Sequence, residues 1–240
     1  MTGETPLEYL AMQTMRGLYA IVDVGALQTR GIDPIAFATA VLSAPLAALQ
    51  LRAKDVGPRE TLALLRELAP MCRRAGVPLV ANDRPDLAVL AGCDLVHVGQ
   101  DDMPVERVRR IAPGLRLGVS THTLEQLDAA LAVRPDYVAF GPVFATSTKK
   151  DPSPVVGVDA LRAAHSRARG AGVPLVAIGG FTLERVAAVV GAAEAVAVIA
   201  ALIPPEADRP RTRAEVLRDV AGRAHRLADV FAPALRPTAS

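Results

Sequence analysis

The sequence alternates, eight times over, between two kinds of hydrophobic pattern, and nothing else in it constrains the fold as strongly. Short β-branched apolar runs fall at 18–23 (LYAIVD), 47–51 (AALQL), 77–81 (VPLVA), 94–98 (DLVHV), 115–119 (LRLGV), 136–140 (DYVAF), 174–178 (PLVAI) and 195–199 (AVAVI). Amphipathic helical spacing follows near 33–44, 58–75, 84–91, 104–111, 123–133, 157–171, 182–190 and 211–231. Strict strand–helix alternation implies right-handed crossovers between parallel strands. Eight units favour a closed (β/α)8 TIM barrel over an open α/β sheet, and 240 residues suit one such domain. The barrel is expected over about 17–203, within a single domain covering 1–240. A surface linker IPPEADRPR then leads to an outer helix at 211–231 and a frayed tail at 233–240.

The segment AGVPLVA occurs at 75–81 and again at 171–177. In each copy a helix is expected to end at glycine (Gly76, Gly172), with proline at the strand start, where no ladder donor is needed. The copies open strands three and seven. A half-barrel repeat gives that offset, and so does convergent use of a good joint.

Composition narrows the function. The net charge is +2 without a long basic block, aromatics are 3% and Trp is absent, which argues against nucleic acid. The apolar stretch 186–203 approaches the length of a bilayer span. Gly191 interrupts it and Glu194 sits at its centre, so a helix end, a turn and a buried strand are expected, with no membrane partner. Cys72 and Cys93 fit neither a zinc knuckle nor a redox CxxC and read as buried or half-buried residues in a reducing cytoplasm. The N-terminus lacks the basic and apolar regions of a signal peptide.

Polar residues gather where barrel chemistry belongs, at the carboxyl ends of the strands. Strand two leads into Gln50, Arg52 and Lys54, spaced by two and so expected on one side of the sheet. Strand three ends in Asn82-Asp83, strand four in Gly99-Gln100-Asp101-Asp102, strand five in Ser120-Thr121-His122-Thr123, and strand seven in Gly179-Gly180. Strand six feeds the loop GPVFATSTKKDP, rich in hydroxyl and ammonium groups. Asp83 and Thr123 stand just before helices, where a cap is the ordinary reading of either alone. Six polar strand ends at one mouth indicate a site. Asp83 and Asp102 can share a hard cation, and two carboxylates with an open remainder suit Mg²⁺ on a substrate pyrophosphate. Arg52, Lys54 and Lys149 imply phosphate at the same mouth. Gly179-Gly180 and the following helix form a second anion site.

The set LQLRAK (49–54), ND (82–83), GQDD (99–102), GVSTHT (118–123), GPVFATSTKK (141–150) and AIGGF (177–181) closely resembles thiamine-phosphate synthase, over roughly 17–203 and in the family's order. The resemblance implies an enzyme that joins a hydroxymethylpyrimidine diphosphate to a thiazole phosphate, releasing pyrophosphate with Mg²⁺ as cofactor. It implies that Gln50, Arg52, Lys54 and Asn82 hold the pyrimidine diphosphate and that Asp83 and Asp102 bind Mg²⁺. Ser120 would meet the pyrimidine and Lys149 the diphosphate, with Arg52, Ser120 and Lys149 carrying the chemistry. Thr146, Thr148, Gly180 and the strand-eight end Ile199-Ala200 would hold the thiazole phosphate. No triad is expected, because the aminopyrimidine itself can stabilise the carbocation left by departing pyrophosphate.

The chain departs from the family pattern at Ala53, Ala145 and Ala200, where Glu, Pro and Ser are common. Two rivals share the barrel: a thiazole tautomerase, with His122 as its histidine, and a non-catalytic phosphate-binding barrel. The GQDD and TSTKK motifs favour the synthase. His97 reads as a satisfied lumen residue, and His165 and His225 as helix-surface residues. A homo-oligomer is compatible with the sequence.

Overall fold

The computed structural model describes residues 15–146, 153–206 and 210–231. Eight parallel strands close on themselves in sequence order: β1 (Gly17–Asp23), β2 (Ala48–Arg52), β3 (Leu79–Asn82), β4 (Leu95–Val98), β5 (Arg116–Thr121), β6 (Tyr137–Phe140), β7 (Leu175–Ile178) and β8 (Ala195–Val198). Closure is made by β1 and β8, with Tyr19 opposite Ala197.

The period of two along each strand divides the core in two. Leu18, Ala20 and Val22 of β1 pack outward, in one cluster with Leu65, Leu68 and Cys72 of the helix Pro58–Ala75. Tyr19 and Ile21 point inward, in a second cluster with Ala48, Val80, Leu95, Tyr137 and Val176. Each fully buried leucine contributes about 1.5–3 kcal/mol.

The expected helices are present: α2 (Pro34–Val41), α3 (Pro58–Ala75), α4 (Pro85–Ala91), α5 (Val105–Ile111), α6 (Leu124–Ala132), α7 (Gly157–Gly170), α8 (Leu183–Ala187) and α9 (Arg213–Asp229). One more, α1 (Val24–Gln28), interrupts the strict alternation. Its signal is the Asp23 carboxylate, which ends β1 and accepts from the Ala26 amide at 2.9 Å as an N-cap. A 3-10 turn, Ala200–Leu202, follows β8. The tail at 233–240 lies outside the described residues.

Both AGVPLVA copies form the same joint. Gly76 and Gly172 are left-handed, at φ +66° and +71°. The Val77 amide reaches back to the Cys72 carbonyl and the Val173 amide to that of Ala168, each at 3.0 Å. The stretch 186–203 folds as expected, with Gly191 turning the chain at φ +85° between α8 and β8. Among the described residues no helix is long and apolar enough to cross a membrane. Cys72 and Cys93 are buried free thiols.

Candidate active site

The inward parity of the strands carries polar side chains into a cavity of about 410 Å³ at the carboxyl end. Gln50, Arg52, Lys54, Asn82, Asp83, Asp102 and Ser120 all line it. β2 stops at Arg52, so Lys54 arrives from the loop rather than from an extended strand as expected. Its ammonium nevertheless sits at the mouth, 2.7 Å from Asp83 Oδ2 and 3.8 Å from Asp102 Oδ1.

Asp83 is not a helix cap. Its φ is +61°, and its amide donates to the His97 carbonyl at 2.8 Å, adding one rung to the β3–β4 ladder. Pro85 disfavours helical geometry at Arg84, whose φ and ψ are −118° and 80°. The tight bend turns the Asp83 carboxylate into the mouth instead of onto α4. Burial, and next its hydrogen bond with Asp102, pushes the Asp83 carboxyl up to about 6. Burial also acts to raise Asp102, but the Asp83 hydrogen bond and the Gly99 amide at 2.7 Å outweigh it, and Asp102 ends below the ordinary range.

The donor set fits a hard divalent cation. Two carboxylates already surround one positive charge, that of Lys54, and their oxygens are the ligand type Mg²⁺ prefers. Among the described residues no cluster of three or more His, Cys, Asp or Glu is placed to hold a metal, so water or substrate oxygens would complete the shell.

Arg52 is held by a partner the sequence reading missed. Its Nη1 lies 2.5 Å from Oδ2 of Asp23, a carboxylate only 5% exposed. Below the mouth a chain of hydrogen bonds crosses the lumen, running Asn82–Gln50–Tyr19–Tyr137–His97–Ser120. His97 is thus satisfied, as expected. The two tyrosines were missed because they lie at the buried middle and start of their strands, where they look like ordinary core residues. Gln100 supports the same region, its Nε2 donating to the Ser120 carbonyl at 2.6 Å.

A second hollow, about 80 Å³, adjoins the first and is lined by Thr146, Gly180, Ile199 and Ala200. Both share Ser120, His122 and Ser153 as walls. The β6 and β7 loops meet backbone to backbone here: the Val143 amide donates to the Ile178 carbonyl at 2.9 Å and that of Phe144 to Gly179 at 3.1 Å. Gly180 is required for this contact. Its φ is +67°, and a Cβ there would lie 2.4 Å from the Ala145 carbonyl oxygen. Phe144 and Phe181 pack edge to face at 5.4 Å, and Arg185 lies over Phe144 while donating to the Gly180 carbonyl. Thr148 and Lys149 lie outside the described residues.

Thr123 is the cap it was expected to be, accepting from the Gln126 amide at 3.2 Å. His122 Nδ1 is 2.6 Å from the Gly141 carbonyl. His225 is exposed, whereas His165 is half-buried with Nε2 2.8 Å from Glu194.

Comparison with known proteins bears on the whole of this geometry. A family model described as thiamine monophosphate synthase matches residues 18–202. The thiamine-phosphate synthase of Chloroflexus aurantiacus is 40% identical over 187 residues, covering 78% of this chain and 84% of that protein. That of Roseiflexus castenholzii is 43% identical over 209 residues, covering 86% and 89%. Among solved structures, a thiamine phosphate pyrophosphorylase from Pyrococcus furiosus superposes with a TM-score of 0.77 at 26% identity, covering 94% of this chain and 100% of that one. The barrel, its polar mouth and these relatives lead to one conclusion: the chain belongs to the thiamine monophosphate synthase family.

Proposed function

We propose that the chain is a thiamine-phosphate synthase, a transferase that condenses 4-amino-2-methyl-5-hydroxymethylpyrimidine diphosphate with hydroxyethylthiazole phosphate to give thiamine phosphate and pyrophosphate. The observation that carries this reading is the pair of adjoining hollows with common walls. One is lined by carboxylates and cations, the other by the Gly180 turn and Thr146. Two anionic substrates can therefore meet at a shared boundary near Ser120. The free buried thiols fit a cytoplasmic setting.

The protein's contribution is charge and position. Arg52, oriented by Asp23, and Lys54 face the diphosphate, with Lys149 assigned to it by the family resemblance. Gln50, Asn82 and Ser120 hold the pyrimidine. Thr146, Thr148, Gly180, Ile199 and Ala200 hold the thiazole phosphate, which keeps the thiazole nitrogen in line with the carbon that loses pyrophosphate. Asp83 and Asp102 would hold Mg²⁺, which supplies charge neutralisation on the leaving group when bound. No side chain acts as a nucleophile. The mouth stabilises negative charge as it builds on the departing pyrophosphate.

The test is pyrophosphate release with purified protein. Release should require both substrates and Mg²⁺. Asp102→Ala should lower the rate by roughly 10- to 150-fold, the worth of one charge-assisted contact. Release without the thiazole phosphate, or a wild-type rate for Asp102→Ala at limiting Mg²⁺, would sink the reading. A tautomerase or a non-catalytic barrel releases no pyrophosphate.

A further inference from the structure

The lumen chain has a direction, which counting hydrogens fixes from Gln50 as far as His97 Nδ1, and which a neutral His97 ring carries on to Ser120. Gln50 turns its amide oxygen to Tyr19, so the Tyr19 hydroxyl donates its one hydrogen there, over 2.6 Å. The Tyr19 oxygen can then only accept, and Tyr137 must donate to it across 2.8 Å. With that hydrogen engaged, the Tyr137 oxygen accepts from His97 Nδ1, also at 2.8 Å. A neutral imidazole protonated at Nδ1 is an acceptor at Nε2, so Ser120 Oγ donates to it over 2.7 Å.

We propose that Tyr137 and His97 are positioning residues that fix the polarity of Ser120: they draw its hydrogen away from the cavity, so Ser120 meets the pyrimidine only as an acceptor and selects a ring bearing an amino group. This deepens the functional reading above and rests on it.

A second observation shows that the backbone is shaped for this chain. Gly118 lies on β5 beside Tyr137. A Cβ at Gly118 would fall 2.0 Å from Tyr137 Cζ and 2.4 Å from its hydroxyl oxygen. No residue larger than glycine leaves the phenol where it bonds to both Tyr19 and His97. The Tyr137 ring also stacks on the His97 imidazole, with centroids 5.5 Å apart and planes at 21°. Tyr137 is fully buried, so water does not compete for the contact.

The experiment has two arms. The first uses the free protein with ¹⁵N-labelled histidine rings, the His97 signals being assigned by their loss in His97→Gln. Nitrogen–carbon-proton correlation spectra should show hydrogen on Nδ1 and none on Nε2, the reverse of the form imidazole favours in water. Tyr137→Phe removes the acceptor and should move the hydrogen to Nε2. An Nε2–H or doubly protonated ring in the wild type, or a tautomer indifferent to Tyr137→Phe, overturns the inference.

The second arm measures binding of the pyrimidine diphosphate and of an analogue with hydrogen in place of the amino group. Binding is used because the amino group also stabilises the carbocation during turnover. The wild type should prefer the amino compound by roughly 3- to 10-fold, the range of a single neutral hydrogen bond. The preference should collapse toward one in Tyr137→Phe and in Ser120→Ala, the latter leaving the rest of the lumen chain intact. An unchanged preference in both variants overturns the inference. A wild type with the Nδ1 tautomer but no pyrophosphate release overturns the functional reading alone.

Discussion

Asp83 occupies a backbone region that side chains rarely accept. The left-handed conformation costs about 1–2 kcal/mol for most residues, somewhat less for Asp, whose short carboxyl can bond locally. What the bend gains is a carboxylate placed against Lys54 and Asp102. Placing it there has a pH signature. The folded-state pKa of Asp83 is raised to about 6, so the folded protein holds this proton more tightly than the unfolded chain does. The stability this lends is fully present below the ordinary carboxylate pKa, near 4, and is lost as pH rises to about 6. Urea unfolding without divalent ions should show a decline of about 3 kcal/mol across that window, and Asp83→Asn should flatten it. At the proposed site Mg²⁺ requires the ionised pair, so its binding with pyrophosphate should strengthen over the same window, as calorimetry would show. A pH-independent Mg²⁺ affinity would remove Asp83 from the proposed metal site.

At the scale of elements, the amino ends of the strands carry acids of a different kind. Asp94, immediately before β4, accepts from the first amide of β3, Leu79, at 2.9 Å. Asp136, before β6, accepts from Leu117 of β5 at 2.7 Å. Glu194, before β8, accepts from Leu175 of β7 at 2.8 Å. Each gives a strand amide a carboxylate acceptor from the neighbouring strand's start. Asp94→Ala should destabilise the fold by about 1.5–3 kcal/mol, measured by denaturant titration, while leaving the Michaelis constants unchanged. A shift in either Michaelis constant would mean that the lower rim communicates with the mouth. These acids stood in plain view in the sequence, as CDLVHV, PDYVAF and AEAVAV. Their role was illegible there because it depends on which amide of the neighbouring strand lies opposite, a matter of register. Helices were legible for the converse reason, since caps such as Thr123 and stops such as Gly76 act within one turn of the chain. The unforeseen α1 shows the same limit: Asp23 was read as a strand end, and it is also a cap and the partner of Arg52.

Over the whole molecule, the eightfold alternation favoured a closed barrel over an open sheet, and the described residues form that barrel. The mouth was legible because six of the strand ends expose polar residues that no core would tolerate unpaired. The tyrosines beneath it were not, since Tyr19 and Tyr137 are apolar by pattern and polar only by partner. The carboxylates at the lower rim have one further consequence, for how the barrel can be divided. They join β3 to β4, β5 to β6 and β7 to β8, and among the described residues no such tie spans β4 and β5. Six of the eight strands, β3 to β8, are thus sewn in pairs, and a break between Pro113 and Gly114 severs none of these ties. Two polypeptides, 1–113 and 114–240, should reassemble on co-expression into a complex with the circular dichroism of the intact protein. A break at Gly92 instead leaves Asp94 and Leu79 on separate pieces, and should yield less complex on gel filtration. Equal recovery from the two breaks would show that the barrel has no modular grain, and that its circle is indifferent to where it is opened.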